Sequence, residues 1–217
     1  MPSDFPILYS FRRCPYAMRA RLALHASGQA CELREIVLRD KAPEFLEVSP
    51  KGTVPVLITE DGSVIEESID VMLWGLGRND PERWLQPPSG DLDEMLALIS
   101  ACDTDFKPNL DAYKYASRGE QAAGLQARGE GAVFLLSLDE RLRDQPYLFG
   151  ERLSLADIGV FPFVRQFAHV DRQLFDREPW PALRRWLDEL LEAPRFAGVM
   201  KKYAKWQAGD APVMFGR

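Results

Sequence analysis

The pattern of apolar and polar positions changes character once along the 217-residue chain. In the first third the apolar runs are short. Residues 6–10 form an apolar and aromatic run that predicts a strand, and residues 15–27 predict a helix closed by Gly28 at its C-terminal end. Residues 32–38 set Glu32, Arg34 and Glu35 among Leu33, Ile36 and Val37, which predicts a second strand. A short helix is expected over 43–48. Two β-rich runs, 54–58 and 63–65, are joined by Glu60-Asp61-Gly62, a hairpin signal. Ser68 is expected to cap a helix that runs to about Leu76. The order is βαβαββα, a small α/β layer with parallel and antiparallel strand pairs.

Residues 78–91 contain Asn79-Asp80-Pro81, Pro87-Pro88 and Ser89-Gly90, a density of turn formers that predicts a linker. Beyond it Leu92, Met95, Leu96, Ile99, Cys102 and Phe106 recur at three-and-four spacing, as do Leu183, Trp186, Leu187, Leu190 and Leu191. The second half therefore reads as all helical. Ser154-Leu155-Ala156-Asp157 has the form of a capping box with Asp in place of Glu, and Leu153 with Ile158 can form the accompanying apolar staple. The helix it opens is apolar nearly all round through Val164, and Pro162 inside it predicts either a kink or an early start. Arg-Gly-Glu at Arg118 and again at Arg128 is too short to count as a repeat. The expected organisation is an α/β domain over 1–77, a linker over 78–91 and an all-helical domain over 92–217.

Composition narrows the classes. With 46% hydrophobic and 28% charged residues the chain can build real cores, which excludes disordered and fibrous proteins. Lys and Arg number 27 against 33 Asp and Glu, a net charge of −6 with no basic block, so nucleic acid is not an expected partner. The longest apolar stretches, such as residues 158–164, fall short of the roughly 20 residues of a membrane span, and Asp4 interrupts what would have to be a signal peptide. No membrane partner and a cytoplasmic location are the expectations. Three cysteines, Cys14, Cys31 and Cys102, are too sparse for a disulfide framework, and two histidines give a metal cluster almost no material.

Candidate chemistry centres on Cys14. It follows the first strand and precedes Pro15, a residue suited to the first turn of a helix, so its sulfur is expected at the positive end of that helix. Such positions, and neighbouring cations such as Arg12 and Arg13, lower a thiol pKa from about 8.5 to roughly 3.5–7.5. A lone cysteine more commonly just packs in a core; strand, cysteine, proline and helix in succession favour the reactive thiolate. In Cys14-Pro15-Tyr16-Ala17 an alanine stands where a redox pair has its second cysteine, so a mixed disulfide has to be resolved by another thiol molecule.

In these residues the chain resembles the cytosolic glutathione transferases, whose N-terminal domain is thioredoxin-like, and among them the Omega-like class that carries Cys-Pro-Phe/Tyr-Ala. The resemblance is motif-level over residues 5–76 and extends through the linker and capping box. It implies glutathione as co-substrate. It further implies a cis peptide bond at Pro55 within Lys51-Gly52-Thr53-Val54-Pro55-Val56-Leu57, with the backbone of Val54 pairing with the cysteinyl unit of glutathione as an added strand. Glu67-Ser68 matches the motif that holds the γ-glutamyl end, Ser68 on its carboxylate and Glu67 on its ammonium, and Lys41 matches the lysine on the glycyl carboxylate. Tyr16 is expected to pack beside the thiol. The second substrate is expected near Phe106, Asn109, Tyr113, Trp206 and Phe215, each of which could equally be core. Cys31, Cys102, His25 and His169 read as packing or capping residues.

The activity implied is that of a glutathione-dependent thiol transferase or reductase acting through Cys14, with dehydroascorbate and S-glutathionyl conjugates as substrates. Two other readings stand beside it: conjugation of glutathione to an electrophile through the hydroxyl of Tyr9 or Ser10, and a non-enzymatic interaction module on the same fold. Relatives are commonly two-fold homodimers.

Overall fold

The computed structural model describes residues 5–116 and 119–216; Asp4 and Arg118 of the sequence argument lie outside the described residues. Contacts divide the chain into two units, Met1–Glu82 with Ala193–Arg217, and Arg83–Glu192.

The first unit is built on β1 (Ile7–Ser10), α1 (Pro15–Ala26), β2 (Cys31–Glu35), α2 (Pro43–Val48), β3 (Val56–Ile58), β4 (Val64–Ile65) and α3 (Ser68–Arg78). β1 and β2 pair in parallel, as a βαβ crossover requires, and β3 and β4 add antiparallel strands on the far side of β1. The β3–β4 turn closes where Gly62 takes a positive φ of 86° and the Thr59 amide donates to the Ser63 carbonyl at 2.9 Å. Leu8, Tyr9, Ala17, Ile36, Phe45, Val54 and Val56 bury their side chains in this unit. α1 packs against α3 and is buried nearly all round, Arg19 and Arg21 included.

The second unit is helical: α4 (Leu92–Ala101), a π-helical turn (Cys102–Phe106), α5 (Lys107–Tyr115), α6 (Gln121–Leu142), α7 (Leu155–Ala168), α8 (Arg172–Asp176) and α9 (Pro181–Glu192). The expected capping box forms, the Asp157 carboxylate accepting from the Ser154 amide at 2.9 Å and also from Leu148 N–H and Trp186 Nε1. α7 begins at Leu155 and continues past Pro162, so the proline stands inside the helix, which starts seven residues before it.

Two features differ from the sequence reading. The apolar periodicity over 92–106 passes through a π turn, in which the Lys107 amide reaches the Cys102 carbonyl. Pro108 has no amide to continue the α pattern, and the Thr104 hydroxyl donates to the Ser100 carbonyl at 3.0 Å. The chain after α9 is not helical throughout: α10 (Pro194–Val199) leads to an irregular tail that ends in β5 (Met214–Phe215), antiparallel to β2. The sheet therefore has five strands in the order β4-β3-β1-β2-β5, and the tail occupies an edge that β2 would otherwise leave open. Two paired residues are too few to show alternation in sequence.

Candidate active site

Cys14 is the N-cap of α1, in extended conformation, half-buried and with no capping bond from its side chain. Proline stands at the first helical position, where its missing N–H costs the helix nothing, and the Cys14 sulfur stands at the positive end of α1. Its Sγ lies 3.6 Å from the Val54 carbonyl, a weak thiol hydrogen bond. The Val54–Pro55 peptide bond is cis, and both residues are buried. Of the two arginines beside it in sequence, Arg12 directs its guanidinium to the Met200 carbonyl at 3.5 Å and Arg13 lies over the Phe11 ring.

Three contacts bring the other expected residues to the same loops. Lys51, just before Gly52, forms an ion pair with Glu67, and Glu67 raises the lysine pKa by hydrogen bonding to its ammonium. Both side chains are largely exposed, 49% and 66%, so the pair is cheap to exchange for another partner. Ser68 is buried and its Oγ accepts from Arg19 Nε at 3.0 Å, while the Arg19 guanidinium lies 5.0 Å from the Tyr16 ring. Glu67 rather than Ser68 occupies the N-cap of α3, and Ser68 is its first helical residue, so the expected serine cap is corrected by one position. The Ser68 hydroxyl still keeps its proton for an outside acceptor. Lys41 Nζ sits against Gly52: a Cβ there would lie 3.0 Å from it, and the positive φ of 63° also suits glycine.

The two hydroxyls of the conjugating alternative lie inside the fold. Tyr9 is 1% exposed, packed edge-on to Trp206 and tilted on Phe45, and its hydroxyl accepts from Arg34 at 2.6 Å. Burial raises its pKa, with the Arg34 bond opposing. Ser10 is fully buried and accepts from Arg21 Nε at 2.8 Å. Both side chains are closed off from solvent.

Phe106 is buried against Phe134 and Phe167, Asn109 donates to the Asp105 carbonyl, and Tyr113 packs on Phe167 and borders a cavity of about 300 Å³ with Ala116, Gln121, Gly124 and Leu125. Trp206 lies in the first unit, 4.4 Å from the Arg34 guanidinium, and Phe215 is in β5. Cys31 is buried, which pushes its thiol up to about 12, and Cys102 is buried in the π turn. His25 is half-buried, and exposed His169 bonds the Arg165 carbonyl. Among the described residues no group of three or more His, Cys, Asp or Glu could hold a metal ion, and no helix is long and apolar enough to cross a membrane. Arg19, Arg21, Glu35 and Lys51 bond to Ser68, Ser10, the Arg12 amide and Glu67, and sequence reasoning gave none of them a part in the site. The arginines' signal was present, since Arg19 and Arg21 interrupt a segment, 17–24, that is otherwise apolar on every side.

Two family models match the chain: the glutathione S-transferase N-terminal domain over residues 8–84 and the glutathione S-transferase C-terminal domain over 134–189. The chain is 25% identical to Glutathione S-transferase AN1595 of Emericella nidulans, over 92% of this chain and 77% of that protein. It is 26% identical to Glutathione S-transferase omega-1 of Rattus norvegicus, over 86% of this chain and 77% of that one. It is 27% identical to Elongation factor 1-gamma of Carassius auratus over 89% of this chain, but spans only 45% of that protein's length. Among solved structures it resembles glutathione transferase URE2P6 of Phanerochaete chrysosporium in complex with oxidized glutathione, with a TM-score of 0.77 at 22% identity, covering 89% of this chain and 94% of the other. It also resembles glutathione transferase Omega 3C of Trametes versicolor, with a TM-score of 0.76 at 21% identity, covering 95% and 88%.

Proposed function

The chain belongs to the glutathione S-transferase family, both of whose domains it carries, and from that premise we propose that it is a glutathione-dependent thiol transferase with Cys14 as nucleophile. The observation that carries the reading is the half-buried Cys14 sulfur at the first turn of α1, 3.6 Å from the carbonyl of Val54. A thiolate there attacks the glutathionyl sulfur of a mixed disulfide: the enzyme–glutathione S–S bond forms, the substrate S–S bond breaks, and the substrate leaves as its thiolate. A glutathione thiolate then attacks that enzyme-bound disulfide, releasing oxidised glutathione and restoring the Cys14 thiolate. Ala17 supplies no thiol for an internal exchange.

Glutathione is placed by the residues around the sulfur. Val54 offers its backbone to the cysteinyl unit, beside Pro55 and the Tyr16 side chain. The Ser68 hydroxyl, already accepting from Arg19, donates its proton to the γ-glutamyl carboxylate. Glu67 exchanges the Lys51 ammonium for that of the ligand, and Lys41, against Gly52, meets the glycyl carboxylate. The homodimer belongs to the same proposal: Leu125, Val133 and Leu136 along α6 are exposed apolar surface that a second copy would cover.

Intact mass spectrometry after incubation with oxidised glutathione tests the nucleophile. The proposal expects one glutathione adduct on the native protein and none on Cys14→Ala; an adduct on Cys31 or Cys102 would move the site, and none at all would refute it. The non-enzymatic interaction module draws on the Elongation factor 1-gamma relatives. It predicts that the protein is not retained on immobilised glutathione at neutral pH, where the transferase reading predicts retention.

A further inference from the structure

The loop that carries Cys14 has no regular structure of its own. Between β1 and α1 it is held by the Ile36 amide on the Ser10 carbonyl at 2.7 Å and by the Cys14 amide on the Phe11 carbonyl at 3.0 Å. Its middle is held by a carboxylate from outside: the Arg12 amide donates to Glu35 Oε1 at 2.7 Å.

That carboxylate is half of a buried ion pair. Arg21 and Glu35 pair through Nη2 and Oε2, with side chains 1% and 9% exposed. Arg21 spends its other nitrogens on the same region, Nε on the Ser10 hydroxyl at 2.8 Å and Nη1 on the Val199 carbonyl at 3.2 Å. The C-terminal segment closes the arrangement. It gives Val199 O to Arg21 and Met200 O to the Arg12 guanidinium, its Trp206 amide donates to the Glu35 carbonyl at 2.9 Å, and the rings of Tyr203 and Phe215 lie 5.7 and 5.9 Å from the Arg21 guanidinium.

Taking two charges out of water is expensive, and apolar residues of similar volume generally fill such a space at no loss of stability, so a buried pair is weak evidence of a stabilising device. Here almost every polar atom of the pair is aimed at the loop or at the tail that backs it: one end of the loop is held through Ser10, its middle through Arg12. A thiolate gains from a helix N-terminus only within the first turn, so its reactivity depends on where this loop puts the sulfur. We propose that Arg21 and Glu35, clamped by the C-terminal segment from α10 to β5, are positioning residues that hold the Cys14 loop in the geometry in which the sulfur is reactive. The inference rests on the reading of Cys14 as the nucleophile. It assigns the tail a part in the chemistry although the tail supplies no reacting group.

The pH profile of Cys14 alkylation by iodoacetamide in the full-length protein, followed by peptide mass, tests this for wild type, Glu35→Gln and Arg21→Met. Arg78→Ala, which breaks an exposed pair with Glu60, serves as control. Both buried variants are expected to move the midpoint up by about one pH unit, slowing alkylation about tenfold at pH values well below the wild-type midpoint, while the control superimposes on wild type. Variants that lose thermal stability but keep the wild-type profile would reduce the pair to scaffold and overturn the inference alone. A wild-type midpoint at the ordinary thiol value would overturn the nucleophile reading and this inference with it. If neither variant folds, amide exchange in the wild type decides: the Arg12 and Trp206 amides, both bonded to Glu35, are expected to open together, and independent opening overturns the proposal.

Discussion

Tyr9 and Cys14 lie five residues apart, and their surroundings separate two chemistries that the sequence alone left side by side. A hydroxyl that activates a bound thiol has to present its proton to the ligand. That of Tyr9 accepts from Arg34, whose guanidinium is also bonded to Glu32 and stacked on Trp206, within the interior of the first unit. With 1% of its surface exposed, Tyr9 is placed to pack rather than to meet a ligand. Tyr9→Phe is expected to leave kcat/KM for glutathione-dependent disulfide reduction within about threefold of wild type and to cost about 1–2 kcal/mol in urea unfolding. A loss of several hundredfold in rate with unchanged stability would return the conjugating hydroxyl to the site. Glu67 and Ser68 show the same lesson from the other side. Their neighbourhood in sequence identified them as a pair, but only the fold reveals that one is held by an exposed lysine and the other by a buried arginine.

At the level of elements, the junction of α1 with α10 carries a titratable group. His25, in the last turn of α1, packs near the Phe215 ring and Gly198, and faces Arg195 and Glu82, themselves an ion pair. Burial lowers its pKa from 6.5, Arg195 lowers it further and Glu82 opposes. In the window between the lowered folded value and 6.5 the unfolded chain binds more protons, so His25 contributes stability that is present above the unfolded value and lost as pH falls through the folded one. His25→Gln is expected to reduce the drop in Tm between about pH 7.5 and about pH 5.5 by about 2 °C relative to wild type. Parallel melting curves for the two proteins would contradict it. α1 thus carries Cys14 at its N-terminus and His25 in its last turn, beside α10.

Across the whole molecule, what could be read in advance followed from local chemistry. Strands β1 to β4 and helices α1 to α3 announce themselves by short apolar runs, Asp61-Gly62 by its turn, and α7 by Ser154 and Asp157. The cysteine, the cis-proline segment and the Glu67-Ser68 step were legible because each is a short contiguous motif. What was not legible depends on distant partners. The return of Met214–Phe215 to β2 and the meeting of Arg21 with Glu35 join residues whose neighbours in sequence say nothing of each other. The π turn at Cys102–Phe106 escapes because one extra residue barely disturbs a three-and-four pattern. In the proposed cycle Cys14 carries glutathione and a second glutathione removes it. Stopped-flow mixing of purified Cys14–glutathione mixed disulfide with reduced glutathione, followed by quenched intact mass, tests this cycle. The expected result is stoichiometric release of oxidised glutathione and return of the unmodified protein mass no more slowly than steady-state turnover; an adduct that persists through many turnovers' time would refute the cycle.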